Sequence, residues 1–378
     1  LPASQSTAAF NPMQVAGTLK TMRIAITGAS GNIGTALLRR LGVEHQVVGV
    51  ARRVPAGGAP YDRVSWHSVD LTDPGAGGAL GTAFAGVDAV VHLAWGFQPS
   101  HDVDYLRRLG VDGTAAVLRA ARAAGVRHLV HMSSVGAYSA APGRRVDEAA
   151  ARDGITSLAY SRHKAEAERL LDSYQRDAAR SGEQAMAVSR LRPGFVVQPD
   201  AASALLRYGV PGYVPARIIS LLPALPLDRK LSIPVVHADD LADAIVRVLE
   251  RRAEGAFNVA AEPPITRDDV AAALGARPVQ VPAKALSALA GAGWRARLQP
   301  LDPGWIDLAF SVPLLDTSRA RTELDWTPSV DARQALTETV RAMARRQGGG
   351  SPVLRVRSGL DQLRKLLSSG PLGNRRLP

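Results

Sequence analysis

The sequence predicts an α/β fold, a doubly wound parallel sheet with a smaller C-terminal substrate-binding region, and three features of the chain predict it. Short apolar runs recur through the first half of the 378 residues. Helix-forming segments fill most of the gaps between them, and strands alternating with helices imply a parallel sheet covered on both faces. The first run also passes through a glycine turn directly into a helix-like stretch.

In chain order, the strands are expected at Arg23 to Thr27, Gln46 to Ala51, Val64 to Ser68, Ala89 to Leu93, His128 to Ser133 and Ala187 to Leu191. Helices are expected at Ile33 to Leu41, at Val111 to Ala124 with Gly125 ending it, and from Tyr160 to Ala179 with a stop near Gly182. After Arg192-Pro193-Gly194 the pattern changes. Residues 195–235 are rich in proline and glycine without a sustained period, which reads as a substrate-facing insertion. Pro234 to Glu250 then supplies a strand and an amphipathic helix, Ala256 to Ala260 a further strand, and Thr266 a cap for the helix Arg267 to Leu274. The expected organisation is a flexible lead (1–21), a dinucleotide-binding domain (22–195, with 236–260 returning to it), a substrate-binding region (196–235 and 261–330), and a C-terminal part (331–378) of helix, glycine-rich linker and basic tail.

Composition narrows the function classes. The absence of cysteine rules out disulfides and thiolate metal sites, and fits a cytoplasmic location. The apolar stretch from Ile218 to Leu227 is ten residues long and holds Pro223 and Pro226, so it cannot span a bilayer. Leu1 to Thr21 lacks the basic and apolar succession of a signal peptide. The net charge of +12 is concentrated at one end: residues 341–378 hold eight arginines and Lys365 against Asp361, a local +8, and Lys20 adds one more. The remaining +3 over residues 23–340 gives no distributed basic face for nucleic acid.

Thr27-Gly28-Ala29-Ser30-Gly31-Asn32-Ile33-Gly34 sets three glycines between a strand and a helix. A backbone there can approach a pyrophosphate, and the helix N-terminus attracts its charge. The plain alternative is a tight turn that only packs strand on helix. Its place at the head of an alternating array makes Gly28, Gly31, Asn32, Ile33 and Gly34 candidates for a Rossmann-type phosphate cradle. The second strand runs into Ala51-Arg52-Arg53, without the acid that binds ribose hydroxyls in NAD-selective sites and with two guanidiniums suited to a 2′-phosphate. Arg52 and Arg53 therefore point to NADP(H), with NAD(H) possible; a solvated arginine pair is the alternative.

Tyr160-Ser161-Arg162-His163-Lys164 places a phenol and an amine one helical turn apart, on one face. A phenol ionises near pH ~10, so acid or base work near neutrality needs positive charge beside it, which Lys164 and an oxidised nicotinamide ring can supply. Ser134, at the end of the His128 to Ser133 strand, can add a hydrogen bond to a reacting oxygen. Following the glycine motif in this order, the three are the candidate catalytic group, with Tyr160 and Lys164 also expected at the cofactor, where Lys164 holds the ribose.

With these pieces, TGASGNIG at 27–34, VDLTD at 69–73, HLA at 92–94, SSVGAY at 133–138, YSRHK at 160–164, LRPG at 191–194, VHADDLADAI at 236–245 and FNV at 257–259, the chain resembles an extended short-chain dehydrogenase/reductase of the NAD-dependent epimerase/dehydratase family over residues 22–330. The resemblance implies that Asp70 and Leu71 flank the adenine, Leu93 and Ala94 line the ribose side, and Pro193 lies near the nicotinamide. A homodimer is also implied. Two departures stand out: Gly110 occupies the place where many relatives carry a proton-relay asparagine, and no arginine precedes His237 to grip a nucleotide diphosphate, although Arg217, Arg229 and Lys230 are close in sequence.

Other residues carry weaker signals. His128 and His131 face opposite sides of a strand, and no metal-binding pattern occurs. His163 is expected as a surface neighbour, Asp239 and Asp240 as caps of a helix start, and Trp95 and Phe97 as residues at a strand end where ligands bind. Residues 353–367 carry apolar positions on one helical face, which suggests a basic amphipathic helix for a membrane surface or a second subunit. The function expected first is an NADP(H)-dependent oxidoreductase that interconverts a carbonyl and a secondary alcohol on a small or medium-sized substrate. A sugar-nucleotide epimerase or dehydratase with retained NAD is the alternative, and a non-catalytic NADP(H)-sensing or scaffold protein is the alternative of another class.

Overall fold

The computed structural model describes residues 21–96, 100–182, 185–209, 223–299 and 301–356. Its centre is a parallel sheet of seven strands: β1 (Arg23–Thr27), β2 (Gln46–Ala51), β3 (Val64–Ser68), β4 (Ala89–His92), β5 (His128–Met132), β7 (Ala187–Pro193) and β11 (Gly255–Val259). Between β5 and β7 lies the two-residue strand β6 (Arg145–Val146). The spatial order is β11-β7-β5-β4-β1-β2-β3. The order reverses beside β1, which pairs in parallel with both β2 and β4. That reversal opens a crevice at the carboxyl ends of β1 and β4, where such sheets bind ligands. The strands are apolar on both faces because helices cover both: Ile24 and Ile26 enter one buried cluster, Ala25 the other.

Helix α1 (Asn32–Arg40) packs one face with the helix Ala238–Arg251, while α2 (Ala76–Phe84), α4 (Gly113–Ala123) and α5 (Ala159–Ser181) serve the other. Gly182 ends α5 in the left-handed conformation, at φ 66. The helix expected from Val111 begins earlier: α3 (Val103–Arg107) runs through a π turn (Arg108–Asp112) into α4. The described residues of 195–235 are more regular than their composition suggests. They hold β8 (Phe195–Val197), the 3₁₀ turn Pro199–Ala201, α6 (Ala202–Gly209), β9 (Ala224–Leu227) and most of β10 (Ser232–His237). β10 lies between β8 and β12 (Ala261–Thr266) in a separate three-stranded sheet, so of the returning segment 236–260 it is β11 that joins the main sheet.

Ala320, Leu324 and Trp326 are buried in the same cluster as Ile24 and Ile26, with Trp326 Nε1 donating to the Asp240 carbonyl at 2.9 Å. Asp240 is not a cap of its own helix. Its carboxylate accepts from Ser329 N (2.9 Å), Ser329 Oγ (2.6 Å) and Val330 N (3.1 Å), pinning the C-terminal chain to the helix, while the His237 ring caps Asp239 N. The glycine-rich stretch 347–352 is not a free linker either; it is packed, with Ser351 fully buried. Residues 353–355 form a turn rather than the start of an amphipathic helix, and 357–367 lie outside the described residues. Among the described residues no helix is long and apolar enough to cross a membrane.

Between the sheet and α5 sits a buried ionic network. Glu168 follows Lys164 by one helical turn and is 0% exposed; Arg192, on β7, is 1% exposed. Glu168 accepts from Arg192 Nε and Nη2 (both 2.7 Å), Arg152 Nη1 (2.9 Å) and Ser133 Oγ (2.5 Å). Arg192 Nη1 also donates to Tyr138 Oη (2.9 Å) and the Glu148 carbonyl (2.8 Å), and Tyr138 Oη donates to Asn258 Oδ1 (2.7 Å). Burial alone would raise the Glu168 pKa, but the hydrogen bonds and charge of Arg192, with Ser133 and Arg152, hold it down at about 2.

Because the folded-state pKa lies below the unfolded value of about 4.3, Glu168 contributes stability that is complete above that value and lost as pH falls toward 2. Removing one member of such a pair strands the other charge, at about 3–5 kcal/mol. Glu168→Ala is therefore expected to lower the unfolding free energy from urea titration at pH 7 by that amount, and to flatten the acid-side loss of stability in the same series.

Candidate active site

The glycine turn after β1 is shaped by contact. Gly28 has φ +73, and a Cβ on it would lie 2.8 Å from Ala94 N, so only glycine lets the turn close against the end of β4. A Cβ on Gly34 would meet the Gly28 and Ala29 carbonyls at 2.5 Å, so that glycine sets how tightly α1 packs on the turn. Thr27 Oγ1 lies 2.7 Å from His92 Nδ1, and His92 Nε2 lies 3.0 Å from Thr114 Oγ1, which ties β1, β4 and α4 together below the turn. Burial, then the Lys164 charge, pushes His92 down to about 3, so it is a neutral structural link.

All fifteen residues singled out from the sequence line one cleft of about 370 Å³. Gly28, Gly31, Asn32, Ile33 and Gly34 form its floor at the start of α1. A dinucleotide pyrophosphate fits this cradle by charge, since Asn32 at the start of α1 lines the cleft with the turn and the N-terminus of that helix favours an anion. Arg52 and Arg53 follow β2; Arg52 Nη1 donates to Tyr105 Oη at 3.0 Å and lies 3.8 Å from Asp70 Oδ2. Asp70 is held by Thr72, through N (2.9 Å) and Oγ1 (2.7 Å), and with Leu71 lines the same end. Leu93 and Ala94 follow β4, and Pro193 ends β7.

Tyr160, Lys164 and Ser134 meet at the far end. Ser134 hydrogen-bonds to Tyr160, and its Oγ accepts from Gly136 N at 3.0 Å. Lys164 Nζ donates to the Met132 carbonyl at 2.7 Å and sits 3.5 Å from the centre of the Trp95 ring. The share of the expected charge effect that fell to Lys164 alone is corrected here: Lys164 does not depress Tyr160. Burial pushes the phenol up to about 12, opposed only by Ser134, and burial also drives the Lys164 ammonium well below its usual range against the pull of Glu168. Tyr160 is thus a protonated donor when the cleft is empty of charge.

Trp95 and Trp305 flank Tyr160, with ring centroids at 6.3 and 5.0 Å. Trp305, on the helix Pro303–Ser311, gave no sequence signal; only the fold brings it there. Trp95 takes the space that Gly110 leaves, since a Cβ on Gly110 would fall 2.9 Å from the indole. His131 lies behind them, fully buried, 5.5 Å from the His92 ring, and neither ring nitrogen has a hydrogen-bond partner among the described residues. His163 is buried rather than at the surface, at 6% exposure. Phe97 and Arg217 lie outside the described residues, and among those residues no cluster could hold a metal ion.

Comparison with known proteins fits this geometry. Residues 24–260 match the model of the NAD-dependent epimerase/dehydratase family. An uncharacterized protein of Mycobacterium tuberculosis is 28% identical over 338 residues, covering 87% of this chain; the chain spans 31% of that protein's length. The L-arabinose 1-dehydrogenase (NAD(P)⁺) of Haloferax volcanii is 37% identical over 112 residues, 30% of this chain and 41% of the dehydrogenase. The crystal structure of dTDP-glucose 4,6-dehydratase from Streptomyces venezuelae, with NAD bound, superposes with a TM-score of 0.64 at 21% identity, over 86% of this chain and 97% of the dehydratase.

Overpacking a filled site costs about 1–3 kcal/mol, so Gly110→Asn is expected to destabilise by that amount and to shift tryptophan emission as the indole moves. Trp95→Ala in the same chain should recover part of the loss, read as a coupling energy in a urea double-mutant cycle.

Proposed function

The chain belongs to the NAD-dependent epimerase/dehydratase family, and on that premise we propose that it is a hydride-transfer enzyme acting at a secondary alcohol carbon of a sugar or sugar nucleotide, with the dinucleotide held through the whole turnover. The observation that carries this reading is the meeting of Ser134, Tyr160 and Lys164 with the phosphate cradle in one cleft. The dehydratase and the dehydrogenase it resembles both act on sugars by name, and the dehydratase holds NAD.

When bound, the dinucleotide supplies the acceptor and donor of hydride. The cradle at Gly28 to Gly34 would hold its phosphates, with Arg52, Arg53, Asp70 and Leu71 at the adenosine end and Pro193 near the reacting ring. Ser134 and Tyr160 hydrogen-bond to the substrate oxygen. Tyr160 gives a proton to that oxygen as a carbonyl is reduced and takes one as an alcohol is oxidised. Its high pKa favours the first role; the second needs positive charge next to the phenol, which an oxidised nicotinamide ring would bring when bound.

A second reading, an NADP(H)-dependent reductase that releases its cofactor each turn, is favoured by one observation: two arginines follow β2 where an NAD-selective site would carry an acid.

The two readings separate on the nucleotide extracted from purified protein. Retained NAD, and turnover of a nucleotide sugar without added cofactor, is expected from the first. An empty cleft that binds NADPH more tightly than NADH, with the difference lost in Arg52→Ala, would establish the second instead. Under either, Tyr160→Phe should lower turnover by about 10²–10⁴-fold and leave dinucleotide affinity within a few-fold; a loss of binding of the same size would remove Tyr160 from the proton-transfer role.

A further inference from the structure

One wall of the cleft comes from a part of the chain far from every motif. The helix Ala332–Ala344 ends at Arg345, and Arg346 takes the left-handed conformation at φ 53, which turns the chain back. Arg346 N donates to the Met343 carbonyl (3.0 Å) and Gln347 N to that of Ala342 (2.9 Å). The returning segment is then tied to the region after β8 at two points: Ser203 N donates to the Gln347 carbonyl (3.1 Å), and Gly349 N to the Asp200 carbonyl (3.0 Å). Beyond it a tight turn closes, with Leu354 N and Arg355 N both donating to the Ser351 carbonyl (3.1 and 2.9 Å). This sets Leu354, 1% exposed, and Val353 against Ala201, Ala204 and Leu205, and both side chains line the cleft.

The glycines are there for contact. A Cβ on Gly348 would fall 2.5 Å from the Leu354 carbonyl oxygen and 3.0 Å from Val356 N; one on Gly349 would fall 3.1 Å from Leu354 Cβ. The surface on which the segment rests is joined to the phosphate cradle. Arg39 of α1 pairs with Asp200 (2.8 Å) and donates to Gln198 Oε1 (2.6 Å), while Gln198 Nε2 donates to Asn32 O (2.8 Å) and Oδ1 (2.6 Å). The C-terminal segment, residues 198–205 and the helix that starts at Asn32 therefore meet on one side of the cleft.

We propose that residues 347–355 are a strap that completes the dinucleotide site and slows release of the dinucleotide. The inference rests on reading the cleft as a dinucleotide site. An apolar pair in the wall excludes water and narrows the exit, and a ligand can leave past it only when the strap lifts. The strap packs on a small apolar cluster separate from the two that cover the sheet, so it can open locally without unfolding the sheet.

The test compares the full chain with a chain ending at Val356, a chain ending at Arg346, and full-length Gly348→Val, which displaces the strap without removing it. NADH and NADPH are each bound, and the release rate is read by fluorescence after displacement with excess unlabelled NAD⁺ or NADP⁺. Release at least tenfold faster from the chain ending at Arg346 and from Gly348→Val, with the chain ending at Val356 unchanged, is the expected result. Gly348→Val decides alone if the shorter chain does not fold. Equal release rates from the full chain and Gly348→Val would overturn the strap. Failure of the full chain to bind either nucleotide would instead remove the premise, and the strap's role with it.

Discussion

The pairing of Glu168 with Arg192 is the constraint on which the active-site end of the molecule depends. Each is a full charge with almost no exposure, and each is tolerable there only because the other is present with further partners to satisfy what remains. The pair also joins three elements that must agree in position. Glu168 lies one turn beyond Lys164, Arg192 directly precedes Pro193, and Ser133, which donates to Glu168, directly precedes Ser134. A shift in any one of α5, β5 or β7 would break the ionic network that holds the candidate residues in register. Through Tyr138 and Asn258 the same network reaches β11, so the far edge of the sheet is tied to it as well.

Around this fixed centre the candidate catalytic groups sit in an apolar setting, and the competition between burial and charge decides their state. Charge alone suggests that Lys164 would draw the Tyr160 proton off. Burial wins on both side chains, because the amine satisfies itself on the Met132 carbonyl and the face of Trp95 while the phenol has Ser134. A site arranged this way holds its proton until a ligand brings polarity or charge into the cleft.

The fold was legible because its signals are local and repeated: apolar runs at strand length, amphipathic stretches between them, and a glycine turn at a fixed offset from the first strand. The candidate residues were legible where a short motif carries them, as with Gly28 to Gly34 and Tyr160 with Lys164. What escaped is long-range. Trp305 enters from a helix with no motif, Asp240 looks like a cap until Ser329 and Val330 arrive from 89 and 90 residues away, and His163 reads as surface because its covering elements are distant in sequence. The Gly348-Gly349-Gly350 run misleads for a different reason. Composition reports that glycine permits flexibility, but not that it also permits close packing, which is its use beside Leu354.

The π turn at Arg108–Asp112 carries a consequence for comparison with relatives. A ring closed from residue i to i+5 takes up one residue more than an α turn, so side chains before and after it are out of phase by about 100° relative to an unbroken helix. A letter-by-letter alignment across this stretch would therefore match Gly110 to a neighbour on another helical face. Whether a relative's side chain truly occupies the space taken here by Trp95 has to be decided from the backbone hydrogen-bond ladder, with a one-residue gap allowed on either side of the turn.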